Sequence, residues 1–537
     1  MHRSRWLAAT ICSLLVAVTA PAASAHGTPG LQWKDCTVVA EAPVQCATQT
    51  VPLDYDNPHG KTIDIAVGRV PARDQAHRIG SLFFNLGGPG APAVDFLQAG
   101  GVAIFDALNE RYDIVGFDPR GTGQSSPSID CKVNQETQGP SSQPFPTPLD
   151  LDLPGLLAKD QRYLRRCVAL NGTEILSHVS TADVARDMDV LRKAVGDQKL
   201  TYLGFSYGTF LGTTYAALFP NRFRALVLDG PIDADQFLSD PLKGSNEQTA
   251  AFEREVSRFF RACAANQTAC VGFGGEDPED VYDQLVDQAN ASPIPATAYT
   301  PDPRPIDGDD FNAATLVTMY AKQFWPLLAV GLKAASDGDG SLIRAIVDEL
   351  FYGRDPDTGA YDPITDRFVA IYGAEANWPT DVKTYVHEGD QAWGMFDHAY
   401  FNHGYTELNF GLWPATAQDT YTGPFRVKDS APTPLVVATT YDPATPYRGA
   451  LRLVRTLGNA RLLTMRGDGH TAYPGNSPCV DAAVNAYLLQ GQLPAAGTVC
   501  RQEVPFEQPP PSPASQTGQQ ALPKLDAAMA HRKPLLR

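Results

Sequence analysis

A serine, an aspartate and a histidine, each at the end of an apolar run, are the residues whose order and spacing could carry chemistry in this chain. Ser206 lies in Gly204-Phe205-Ser206-Tyr207-Gly208, after the apolar run 200–203 and before 209–218, a small-residue segment able to form a helix. A serine at a sharp strand-to-helix turn takes a strained backbone, and glycines two residues either side keep side chains off the neighbouring strand and helix. Its hydroxyl then sits exposed at a helix N-terminus, where N–H groups and the helix dipole favour a developing oxyanion. Such a nucleophile needs a base, and the base needs an orienting carboxylate. In the strand-turn-helix version of this chemistry the chain order is serine, acid, histidine, each at the carboxyl end of a strand. Asp442, in Thr440-Tyr441-Asp442-Pro443-Ala444-Thr445-Pro446, directly follows the run 434–440. His470, in Gly469-His470-Thr471, directly follows the run 460–465. His470 lies 28 residues beyond Asp442, and the gap holds one helix (448–457) and one strand, as a βαβ step requires.

Each residue has a plainer reading when taken alone. Asp442 could be a turn-former before proline, and His470 a loop histidine; the joint placement is what points to a triad. Two other acids compete. Asp468 stands only two residues from the histidine it would have to orient, and Asp229 ends the strand that follows the Ser206 helix. His178, His387, His398 and His403 lack a strand-end glycine context and read as surface or cap residues. The oxyanion needs two backbone donors. One is the N–H of Tyr207; the other is expected from Asn85-Leu86-Gly87-Gly88-Pro89-Gly90, with Gly88 favoured. That loop could be merely a tight turn. It is not a P-loop, because the Lys-Ser/Thr pair is missing.

To position these residues the chain needs parallel strands, and it has them. Runs at 63–70, 81–86, 112–118, 200–203, 225–229, 434–440 and 460–465 alternate with helix-compatible stretches. The pattern predicts an α/β fold: a mostly parallel sheet with helices on both faces. Between about 235 and 405 the texture becomes helical (247–262, 309–319, 324–335 and 342–351), broken by Pro/Asp/Gly loops. This predicts an inserted, mostly helical cap. It would separate a first core part, 26–234, carrying the glycine loop and Ser206, from a second, 406–504, carrying Asp442 and His470. Ser336-Asp337-Gly338-Asp339-Gly340 lacks the ligand spacing of a calcium loop and reads as a turn with a helix N-cap.

Residues 1–25 read as a secretory signal: Arg3 and Arg5, an apolar segment 6–20, and Ala23-Ser24-Ala25 before a mature start at His26. The apolar segment is short for a membrane anchor, and no other stretch is apolar enough to span a bilayer. From 505 to 537, Pro509-Pro510-Pro511 and a Ser/Gln-rich run predict a disordered tail with a basic end. Cys12 leaves with the leader; the other eight cysteines fall into local couples, 36/46, 131/167, 263/270 and 479/500. An even count in an exported chain favours disulfides, and sequential pairing is the expectation, although sequence alone leaves connectivity open. A zinc site competes, without C-x-x-C or H-x-x-x-H spacing to support it. The formal charge is −17, two units more negative without Arg3 and Arg5. So acidic a surface argues against nucleic acid or anionic lipid as partner and suits a substrate with a free amino group.

Together, Asn85-Leu86-Gly87-Gly88-Pro89-Gly90, Gly116-Phe117-Asp118-Pro119-Arg120-Gly121-Thr122-Gly123-Gln124-Ser125, Gly204-Phe205-Ser206-Tyr207-Gly208-Thr209, Asp442-Pro443-Ala444-Thr445-Pro446 and Gly469-His470 resemble the secreted tripeptidyl aminopeptidases of actinomycetes. These are α/β-hydrolase serine peptidases related to prolyl aminopeptidases. The likeness covers roughly residues 30 to 505, including Trp413-Pro414 and the 479/500 couple. It implies an α/β-hydrolase fold and hydrolysis of peptides from the N-terminus, with release of tripeptides. Ser206 would attack, His470 would serve as base and then acid, Asp442 would fix the imidazole, and Tyr207 and Gly88 would hold the oxyanion. Such a mechanism needs no metal or organic cofactor. One departure stands out: related enzymes usually carry Asn-Pro or His before the Gly-Gly-Pro-Gly, and here Leu86 does. The acidic residues that bind a peptide's amine in the family lie in the cap, where Glu247 and Glu253 are candidates by location only. The same triad serves ester cleavage, so an esterase or amidase acting on small acyl substrates is the alternative. A non-catalytic binding protein on this fold is a third reading, opposed by the intact Ser/Asp/His set.

Overall fold

The structure, a computed structural model, describes residues 30–507. The predicted leader with its cleavage point at His26, and the tail from 508 onward, lie outside the described residues.

Three strands are buried along their whole length: β4 (Gly80–Asn85), β5 (Tyr112–Phe117) and β6 (Leu200–Phe205). Strands covered on both faces are apolar in continuous runs, which is why they stood out in the sequence. Their alternate side chains feed two cores. Phe83, Val115, Phe117 and Tyr202 join one cluster, with the helices Thr181–Ala194 and Tyr207–Leu218. Leu82, Phe84, Ile114, Leu203 and Phe205 join the other, with the helices Ala93–Gln98 and Pro478–Gln490. Around them the sheet is completed by β1 (Lys34–Asp35), β2 (Gln45–Pro52), β3 (Thr62–Val70), β7 (Phe223–Asp229), β8 (Leu435–Tyr441), β9 (Arg461–Asp468) and β10 (Val499–Arg501). The order is β1-β2-β3-β5-β4-β6-β7-β8-β9-β10, antiparallel from β1 to β5 and parallel thereafter.

Between β7 and β8 the chain adds no strand to the sheet. Helices there bury Phe252, Phe259, Phe311, Trp325, Leu328 and Ile346 in a third cluster of their own. The later part of this stretch behaves differently. Val369 and Ala370 of the helix Ile364–Glu375, with Phe410 and Trp413, pack into the same cluster as the Ser206 helix. Leu238 and Leu242, from the start of the stretch, join that cluster too, so the insertion is seated on the sheet by its two ends. Disulfides join Cys36–Cys46, Cys131–Cys167, Cys263–Cys270 and Cys479–Cys500. All eight described cysteines are used, which removes the thiols that the competing zinc reading required.

Arg120, on the loop after β5, is fully buried and locks this half of the core. Its Nε and Nη2 donate to the two oxygens of Asp187, each at 2.8 Å, and Nη1 donates to the carbonyls of Leu53 and His178. Asp183 lies 3.7 Å away. Arg120→Met would leave the buried Asp187 carboxylate without its cation, while Asp183 keeps Arg186 at 2.9 Å, so a loss of about 3–5 kcal/mol is expected. The measurement is the urea midpoint at constant m. An unmoved midpoint would show that the network carries no stability.

Candidate active site

Ser206 sits between β6 and the helix Tyr207–Leu218 with φ 54° and ψ −123°. A non-glycine residue at positive φ is strained, and such strain persists only where the surroundings hold it. Here they do. Ser206 N–H donates to Asp229 O at 2.9 Å, and Ser206 O accepts from Thr209 N at 2.8 Å and Thr209 Oγ1 at 2.6 Å. A Cβ on Gly204 would lie 2.3 Å from Gly208 O, and one on Gly208 would lie 2.8 Å from Asn85 O. Both glycines of the pentapeptide are therefore demanded by close packing.

The glycine loop crosses directly over this turn. A Cβ on Gly87 would come within 2.9 Å of Ser206 Cβ, and the Gly87 N–H is held by Asn85 Oδ1 at 3.0 Å. Gly88 lines the same cavity as Ser206, as does Leu86. Tyr207 is the first residue of its helix, where a backbone N–H has no intrahelical acceptor. Its ring is pinned from behind: the hydroxyl contacts Thr181 Oγ1 at 2.5 Å, and Thr181 Oγ1 donates to Glu375 Oε2 at 2.6 Å. Burial raises the Glu375 carboxyl to about 7. Nothing in the sequence pattern pointed to this Tyr207–Thr181–Glu375 chain, because its members come from three separate helices.

The three acids near His470 are sorted by geometry. His470 Nδ1 lies 2.9 Å from both oxygens of Asp442. Asp442 also accepts the N–H groups of Ala444 and Thr445 at 3.0 and 2.7 Å and the Thr445 hydroxyl at 3.0 Å. Asp468 instead pairs with Lys322 Nζ at 2.6 Å and with Arg258. Asp229 is fully buried and caps the Ala472 and Tyr473 N–H groups; burial lifts it to about 7. Asp442 is the acid that meets the imidazole. The opposite nitrogen, His470 Nε2, is buried and carries no hydrogen bond among the described residues, and His470 and Ser206 line one cavity of about 400 Å³.

The insertion supplies much of that cavity, including Tyr320, Phe368, Tyr372, Phe401 and Glu407. Of the two cap glutamates expected by location, Glu253 lies outside the lining, with its carboxylate holding His398 Nδ1 at 2.9 Å. Glu247 lines the cavity but is paired with Arg452 Nη2 at 2.6 Å. Glu407, which the sequence reading missed, is buried, and its Oε2 accepts from His403 Nδ1 at 2.7 Å and Gly404 N at 2.9 Å.

His403 and His398 are buried, not surface residues, and each ring has a carboxylate at both nitrogens: Glu407 and Glu388 for His403, Glu253 and Asp283 for His398. Burial pulls both histidines down, but these carboxylates win and hold them above the usual 6.5. A folded-state value above the unfolded one means the stabilisation is complete below 6.5 and is lost as pH rises through the folded value. Stability is therefore expected to fall on the alkaline side, and His403→Gln should flatten that slope in thermal melts across pH. An unchanged slope in this variant would show that the imidazole is neutral.

Comparison with known proteins places the chain in a family. A family model described as alpha/beta hydrolase fold matches residues 82–268, and one described as TAP-like protein matches residues 401–500. The chain is 33% identical over 466 residues to "Serine protease Hip1" of Mycobacterium tuberculosis, covering 85% of this chain and 87% of that protein. It is 35% identical over 484 residues to "Carboxylesterase B" of the same species, covering 88% and 90%. It is 31% identical over 504 residues to "Tripeptidyl aminopeptidase" of Streptomyces lividans, covering 89% and 88%.

Proposed function

Because the chain belongs to the tripeptidyl-aminopeptidase-like α/β-hydrolases and is a serine hydrolase, we propose that it is an exported exopeptidase that cleaves peptides near a free N-terminus. Tripeptides are the expected product. The observation that carries the reading is the cavity whose lining includes Ser206, His470 and Gly88 together with Glu407. Ser206 Oγ attacks the scissile carbonyl while His470 Nε2 takes its proton, and the N–H groups of Tyr207 and Gly88 hold the oxyanion. Asp442 keeps the proton on Nδ1 and stabilises the imidazolium. His470 then protonates the departing amine, and a water activated by the same imidazole releases the acyl group.

Glu407 is the group we assign to the substrate's ammonium, over Glu247. The Arg452 guanidinium on Glu247 is permanently charged, while the His403 imidazole on Glu407 can give up its proton. A carboxylate offers about four acceptor sites, and His403 and Gly404 occupy Oε2 alone. The four disulfides support export, since they persist in oxidising compartments. No helix of the described residues is long and apolar enough to cross a membrane.

Tripeptidyl anilides with free and acetylated N-termini test the reading. The free form should be turned over preferentially, and Glu407→Gln should erode that preference by about tenfold or more, mainly through KM. Equal turnover of blocked and free peptides would overturn the exopeptidase assignment. The carboxylesterase relative keeps a second reading in view, and efficient cleavage of p-nitrophenyl esters without peptide cleavage would establish it.

A further inference from the structure

The helix Pro241–Ala265, in the insertion, lays Glu255 against the loop that carries His470. Glu255 is fully buried, and its Oε1 accepts the Gly469 N–H at 2.8 Å. Its Oε2 makes no hydrogen bond; the nearest cation is Arg258, with Nε at 3.6 Å. Burial and the adjacent Asp468 hold the carboxyl well above its usual range, against the opposing pull of the Gly469 N–H, Arg258 and Arg254. The next N–H along, that of His470 itself, donates to Tyr320 O at 2.7 Å, and the Tyr320 ring stands edge-on to the imidazole at 5.8 Å. Two consecutive N–H groups of the histidine loop thus end in the insertion, not in the sheet. Gly469 has φ +83°, and a Cβ there would sit 3.1 Å from Tyr320 O, so the close approach is built around a glycine. From the other side, Gln502 grips Asp468 through both its backbone groups, Oε1 accepting its N–H and Nε2 donating to its carbonyl.

A half-satisfied buried carboxyl is costly for stability alone, and an apolar side chain would fill the space at less cost. What Glu255 supplies is an acceptor at one point on the histidine loop. We propose that Glu255 is a positioning residue for His470, fixing the Gly469 N–H so that the imidazole stays between Asp442 and Ser206, and thereby making the reactivity of the triad depend on the seating of the insertion on the sheet. The proposal rests on the reading of His470 as the base.

The test compares wild type, Glu255→Leu and Glu255→Gln for the rate of fluorophosphonate labelling at Ser206 and for kcat and KM. Labelling involves no peptide subsite, so a residue that merely shaped the cavity for substrate would change KM and leave labelling alone. Glu255→Leu should slow labelling and kcat together by about 10- to 100-fold, the scale of a small misplacement of a catalytic group. KM should stay within about twofold, and Glu255→Gln, which keeps the acceptor, should recover to within about threefold. Wild-type labelling rates in Glu255→Leu overturn the proposal and leave the Ser206 reading standing. Absence of labelling in wild type overturns both. Should Glu255→Leu fail to fold, amide hydrogen exchange of the wild-type chain across 467–471 decides: slow exchange at Gly469 and His470 supports the anchorage, and loop-like exchange overturns it.

Discussion

Ser206→Ala is expected to abolish hydrolysis, lowering kcat by about 10⁶-fold, as loss of a serine nucleophile does in another triad enzyme. The reason is chemical and leaves the fold in place. The Ser206 side chain caps no N–H of its own helix, so its removal orphans no helix donor. The strained φ of 54° belongs to the backbone, held by Asp229 and Thr209, and alanine inherits it. Stability should therefore move by no more than about 0.5 kcal/mol. The variant should keep the wild-type KM or Kd for peptides, because Glu407 and the aromatic lining remain. Retention of more than about 1% of wild-type kcat would point to a different nucleophile.

The second large effect is expected at Asp442→Asn, a fall of about 10⁴-fold in kcat at neutral pH. Both Asp442 oxygens face His470 Nδ1 at 2.9 Å, and Oδ1 also takes the N–H groups of Ala444 and Thr445. Those two N–H groups will hold the asparagine carbonyl, which turns its amide NH₂ toward the ring. An N–H aimed at Nδ1 demands the tautomer with the proton on Nε2, and such an imidazole cannot accept the Ser206 proton. Asp229→Asn is the control. Its carboxylate holds the Ala472 and Tyr473 N–H groups beyond the histidine, so that variant should lose stability first and activity less. A reversed ranking of the two variants would transfer the acid role to Asp229.

Much of this was legible before any coordinates. Strands β4 to β9 announce themselves because each has a buried apolar centre, so local composition suffices to find them. The cysteine couples were readable because each joins neighbours in the cysteine order, across 7 to 36 residues. By contrast β2, Gln45–Pro52, is mostly polar and partly exposed, so it has neither an apolar run nor a clean alternation to betray it. His398 looked like a surface residue because its partners, Glu253 and Asp283, lie 145 and 115 residues away. Glu253 and Glu255 show the limit most plainly. Two residues apart on one helix, they point about 160° apart; one holds His398 and the other the histidine loop, and their shared helical neighbourhood does not distinguish them.

By itself, then, the sequence determined the α/β class and the strand ends that carry Ser206, Asp442 and His470. Those are properties of local patterning along the chain. Only the tertiary structure decided that Asp442 meets His470 while Asp229 and Asp468 are engaged elsewhere, that Glu407 lines the cavity while Glu253 does not, and that the insertion holds the histidine loop through Glu255 and Tyr320. Each of these is a contact between segments far apart in the chain. Periodicity reports what a residue's neighbours in sequence are; packing alone selects which distant group a buried carboxylate will face.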